Sequence, residues 1–88
     1  MSNVSVAEPI PEAELFGKTL KKLRTSRDLT QERLAGAANL TTGYVNTLER
    51  GMQVPSLTTL IKLAHALGVT PSELLSDFTP VALRRLLG

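Results

Sequence analysis

The sequence predicts an all-α fold, a compact bundle of five helices with a short sixth, on three observations. Apolar residues recur at spacings of three and four from Phe16 to Leu87, the period of a helix with one buried face. Hydroxyl residues stand immediately before those runs, at Thr30, Thr41, Ser56, Thr70 and Thr79, where a side-chain oxygen caps free backbone N–H groups. No stretch alternates apolar and polar residues with the period of two that a half-buried strand requires.

Met1 to Pro11 has no periodicity and holds Pro9 and Pro11, so residues 1–11 read as a flexible tail. Helix 1 starts at Glu12, where Glu12 and Glu14 complement the N-terminal end of the helix dipole, and runs to Arg27 with Phe16, Leu20 and Leu23 inward. Gly17 inside it costs on the order of 1 kcal/mol against alanine, which predicts a close approach by another element. Thr30 caps helix 2, Gln31 to Ala38, with Leu34, Ala35 and Ala38 buried. Asn39 then ends it, being after glycine the residue that best tolerates the left-handed conformation of a sharp turn. Leu40 is an apolar plug. Thr41 caps helix 3, Thr42 to Arg50, with Val45 and Leu48 inward and Gly51 as terminator.

After "GMQVP", Ser56 opens helix 4 to Leu67, with Leu57, Leu60, Leu63, Ala64 and Leu67 inward and Gly68 as the stop. Helix 5 opens on "TPSELL" with Thr70 as cap, Pro71 in the first position and Glu73 placed to close a capping box. Thr79 and Pro80 open the short sixth helix, Val81 to Leu87. Residues 12–76 thus form the domain, and 77–88 an extension.

Composition excludes several classes. There is no cysteine, hence no disulfide framework and no thiolate nucleophile or metal ligand, and the lone His65 makes no metal cluster. No catalytic pair or phosphate-binding glycine loop is present, so neither an enzyme nor a cofactor is expected. No apolar run reaches membrane-spanning length and no signal peptide opens the chain, so a cytoplasmic protein without membrane contact is expected. The net charge is only +2, but Leu15 to Lys62 holds eight basic residues against three acidic ones, an excess suited to a polyanion.

Two short helices joined by a tight turn, with Ala35 at their crossing, make a helix-turn-helix, whose second helix can lie in a DNA major groove. The pattern resembles the XRE class of regulators, the Cro and phage-repressor type, whose small stand-alone members include the controller proteins of restriction-modification systems. The resemblance rests on "LTQERLA", "NLTTGYVNTLERG" and "VPSLTTLIKLAHALGVTPSELL", which span Leu29 to Leu75. It implies a lambda-repressor-like DNA-binding domain and a transcriptional regulator that binds double-stranded operator DNA, usually as a homodimer on a two-fold site, with helix 3 in the major groove.

Carried onto this sequence, the resemblance implies base contacts from the segment Thr42, Gly43, Tyr44, Asn46 and Thr47, and phosphate contacts from Gln31, Thr41 and Arg50. It also implies a structural ion pair between Arg24 and Glu49. Two positions depart from the family pattern. Asn39 stands where many relatives have glycine. Gly43 occupies an early groove-facing position without a side chain, which leaves reading to Thr42, Asn46, Thr47 and Tyr44; asparagine pairs with adenine and threonine with the thymine methyl, so an A·T-leaning site is expected.

One recognition helix reads few base pairs, so a useful operator calls for two copies. Leu74, Leu75, Phe78, Val81, Leu83, Leu86 and Leu87 offer more apolar surface than helix 5 needs, and Leu75, Phe78, Val81, Leu83, Leu86 and Leu87 are the expected dimer interface. The rival arrangement folds Val81 to Leu87 back onto the same molecule. Two other functions fit the pattern: an antitoxin that represses its own operon and binds a partner protein, and a protein-interaction module without DNA affinity. With no effector domain after helix 5, no small-molecule effector is expected.

Overall fold

The computed structural model describes residues 7–88. Residues 1–6 of the expected tail lie outside the described residues. Among the described residues six helices follow one another: α1 Pro11–Ser26, α2 Gln31–Ala38, α3 Thr42–Glu49, α4 Leu57–Leu67, α5 Pro71–Leu74 and α6 Pro80–Leu87. No strand forms among them.

The helix starts follow from side-chain chemistry. Thr30, Thr41, Ser56, Thr70 and Thr79 each accept a hydrogen bond from the backbone N–H three residues on, and each such cap contributes about 1 kcal/mol. α1 starts without a side-chain cap, at Pro11 rather than Glu12. Proline's missing N–H costs nothing in the first helical position, and the Ile10 N–H just before it donates to the Gly51 carbonyl at 2.8 Å. Asn39 adopts the left-handed conformation at φ 56°, ψ 47°, and turns the chain between α2 and α3.

The core lies where α1, α2, α3, α4 and α5 meet, built around Phe16, Leu20, Leu34, Val45, Leu48, Leu63 and Leu74, all fully buried. Burying each of these side chains contributes about 1.5–3 kcal/mol. Gly17 and Gly51 fix how closely α1 and α3 approach. A Cβ at Gly17 would lie 2.6 Å from the Glu49 carbonyl oxygen and closer still to that of Leu48. At Gly51, φ is +73° and a Cβ would lie 2.5 Å from the Glu14 Cα. The α3 end therefore rests directly on the α1 backbone. At the other end of α1, Arg27 Nε donates to the Leu67 carbonyl at 2.8 Å, placing a cation at the C-terminus of α4, where the dipole favours it.

Two expectations are corrected. Leu57 is not inward but 71% exposed. It stands on the first turn of α4 at the rim of an open apolar groove with Val54, Pro55, Leu60, Leu75 and Phe78; periodicity assigns a helix face but not what covers its end. Leu74 is not surplus surface but core. The extension follows α1: Thr19 Oγ1 donates to Asp77 Oδ2 at 2.6 Å, and α6 then borders an open groove with Leu15, Lys18, Val81, Ala82 and Leu86. No residue of α6 is buried.

Candidate nucleic-acid interface

α3 presents two unlike sides. Val45, Leu48 and Glu49 are buried and Tyr44 is half-buried against the core. At about 100° per residue, Thr42, Asn46, Arg50, Gly43 and Thr47 fall in that order within one arc of about 140°. Thr42, Gly43 and Arg50 are exposed and Asn46 and Thr47 half-exposed. The arc therefore carries a hydroxyl, an amide, a guanidinium and a second hydroxyl on a helix narrow enough to enter a major groove.

What holds this arc is a buried polar cluster at the junction of α1, α2 and α3. Arg24 Nε and Nη2 donate to Glu49 Oε2 and Oε1 at 2.6 and 3.0 Å, and Nη1 donates to the Leu29 carbonyl at 2.7 Å. The side chains are only 11% and 2% exposed. The hydrogen bond to Glu49 raises the Arg24 pKa further, against the opposing pull of desolvation, so the guanidinium stays charged at every working pH. Gln31 Nε2 adds a bond to Glu49 Oε1 at 3.0 Å, and Asn46 Nδ2 donates to Gln31 Oε1 at 3.4 Å. One carboxylate thus ties the end of α1 and the start of α2 to the end of α3.

The sites expected from the sequence are placed unequally. Thr42 and Arg50 are exposed to solvent. The Thr41 oxygen accepts from the Tyr44 N–H at 3.1 Å, which leaves its hydroxyl proton to donate. Thr47 donates to the Gly43 carbonyl at 2.9 Å. Gly43 faces open space: a Cβ there would meet nothing within 4 Å. Gln31 and Tyr44 are committed inward: Gln31 to Glu49 and Asn46, and Tyr44 through its hydroxyl, 3.5 Å from Thr59 Oγ1 on α4. Leu75, Val81, Leu83 and Leu87 are exposed, while Phe78 and Leu86 are half-buried against their own chain.

Two residues, Val54 and Ile61, escaped the sequence reading, and a third, Leu57, was placed inward by it. Val54, Leu57 and Ile61 form an exposed apolar face at 51%, 71% and 52%. The signal was available in α4, "LTTLIKLAHAL", which has apolar residues on more of its circumference than one core face occupies.

A model of the HTH_3 helix-turn-helix family matches residues 20–74. The chain belongs to that family. The matched span runs from the middle of α1 through α5, and the XRE-type resemblance drawn from the sequence is the same relationship. Among curated relatives, the control protein C.BamHI of Bacillus amyloliquefaciens is 40% identical over 68 residues, covering 76% of this chain and 83% of its own length. The control protein C.MunI of a Mycoplasma species is 44% identical over 63 residues, covering 70% and 85%. Among solved structures, the restriction-modification controller protein C.AhdI of Aeromonas hydrophila superposes with a TM-score of 0.71 at 43% identity, over 72% of this chain and 96% of that one. HTH_3 members of this kind are transcriptional regulators, and the all-helical architecture is shared with them. No helix of the described residues is long and apolar enough to cross a membrane.

Proposed function

We propose that this HTH_3 protein is a sequence-specific transcriptional regulator that lays α3 in the major groove of operator DNA as a homodimer on a two-fold site. The observation that carries this reading is the polar arc of α3, which the Arg24–Glu49 cluster holds rigidly while leaving it uncovered. Thr42, Asn46 and Thr47 supply base contacts around the bare backbone of Gly43. Arg50, Thr41 and the N-terminal amides of α2 hold phosphates, which position the domain without reading sequence. The curated relatives support the regulatory role, since they are control proteins and regulators.

The second copy covers the apolar surface of the C-terminal half. Leu75 borders one groove with Val54 and Leu57, and α6 adds Val81, Leu83 and Leu87; residues 77–88 act as the dimerisation segment. An apolar, leucine-rich face of this kind is what a monomer in water avoids. The alternative, a partner protein on the same face as in an antitoxin, draws on the same exposed residues of α6. Sedimentation of the purified chain separates the two: a dimer of this chain alone supports self-association, and a monomer supports the partner. Binding of the full chain to random-library duplexes, followed at rising salt, tests the DNA reading, which requires a salt-dependent affinity.

A further inference from the structure

The hydrogen-bond directions in the cluster beneath α3 are fixed by its first member. A carboxylate only accepts, and Arg24 with Gln31 supplies the donors to Glu49. Gln31 spends its Nε2 on Glu49 Oε1, so its carbonyl Oε1 is the end turned to Asn46. A carbonyl cannot donate. Asn46 must therefore turn its Nδ2 inward, and its Oδ1 is the end left to the groove. The orientation of both amides is thus set by the charge of Glu49, one residue removed from the reading surface.

Thr47 follows the same logic, since its hydroxyl proton goes to the Gly43 carbonyl and its oxygen is left with lone pairs alone to offer. Between them, Asn46 and Thr47 present acceptors plus one remaining Nδ2–H of Asn46. In the major groove adenine offers an N6 donor beside an N7 acceptor, whereas guanine offers only the acceptors N7 and O6. We infer that the relay from Arg24 and Glu49 through Gln31 orients Asn46 to read adenine: Oδ1 accepts from the N6 amino group and the second Nδ2 hydrogen donates to N7. Guanine at the same position would set an acceptor against Oδ1, so only the one remaining Nδ2 hydrogen could bond to it unless Asn46 turned over and gave up its bond to Gln31. Gln31 is then a positioning residue for base readout, and the second hydrogen of its Nε2 stays available for the phosphate contact that the family resemblance implies. The inference rests on the DNA-binding reading above.

The test is selection of bound duplexes from random DNA by the full chain and by two variants, Gln31→Met and Asn46→Ala. The unaltered chain should enrich adenine over guanine about ten-fold or more at one position of each half-site. Gln31→Met should shrink that preference several-fold there and leave the other positions unchanged, and Asn46→Ala should abolish it at the same position. An even loss of affinity across all sequences in Gln31→Met would give Gln31 to the backbone and overturn the relay. So would a preference for guanine or cytosine at the position that Asn46→Ala relaxes, a comparison that stands even if Gln31→Met does not fold. No enrichment by the unaltered chain would remove the DNA-binding reading itself, and the relay with it.

Discussion

Among the described residues, the two halves of the molecule carry opposite surfaces. From Ala7 to Arg50 no large apolar side chain is exposed, and the free surface of α2 and α3 is polar. From Gly51 onward stand all of the exposed large apolar residues: Val54, Leu57, Ile61, Leu75, Val81, Leu83 and Leu87. Both halves share one core, so the contrast is not about folding. A surface of tethered hydroxyls, amides and a guanidinium suits a hydrated polyanion whose edges are read one hydrogen bond at a time. An apolar surface suits another protein, whose burial of it is non-directional and needs no such tethering. The contrast also explains where the buried ion pair lies: under the half that must hold its side chains in register.

The largest expected effect breaks the polar half from below. Arg24→Met leaves the Glu49 carboxylate buried without its cation, and urea unfolding should show a loss of about 3–5 kcal/mol. Combined with Glu49→Leu, the loss should be clearly less than the sum of the two single losses; simple additivity in that double-mutant cycle would mean the pair does not act as a unit. Gly17→Ala comes next. Its methyl group meets backbone oxygens of Leu48 and Glu49, which cannot swing away as a side chain can. A loss of about 1–3 kcal/mol is expected, together with weaker DNA binding as α3 is pushed from its seat; an unchanged melting temperature would show that the two helices can separate freely.

In the apolar half, Leu57→Asp combined with Leu83→Asp should change stability within about 0.5 kcal/mol per site in a monomer, since both side chains are exposed there. Sedimentation should nonetheless show the dimer lost and operator affinity lowered. A dimer that persists through both changes would place self-association elsewhere. Smaller again is Arg50→Ala, which should reduce the salt dependence of DNA binding by about one phosphate contact and leave the preferred sequence alone.

Much of this division was legible in the sequence, for reasons that are local. The five hydroxyl caps and the left-handed Asn39 follow from side-chain chemistry within three or four residues. Gly17 announced a close approach because glycine inside a helix is otherwise costly. What was not legible depends on the third dimension. Leu57 has the spacing of a core residue, yet it lies at the start of α4 where nothing among the described residues covers it. Gln31 carries no sign in the sequence that Glu49, eighteen positions on, claims its amide. The tie between the extension and α1 likewise hangs on Thr19 meeting Asp77, a pairing that no periodicity encodes.

The central claim is that the exposed arc of α3 reads DNA. Its most direct test is selection from a random duplex library by the full chain and by a variant with Thr42, Asn46 and Thr47 all changed to alanine, exposed or half-exposed positions whose loss leaves the core intact. The account predicts that the unaltered chain enriches an inverted repeat with half-sites about one helical turn apart, and that the triple variant binds DNA weakly with no preferred sequence. Enrichment of the same repeat by both proteins would contradict it, because the sequence would then be read by some other part of the molecule.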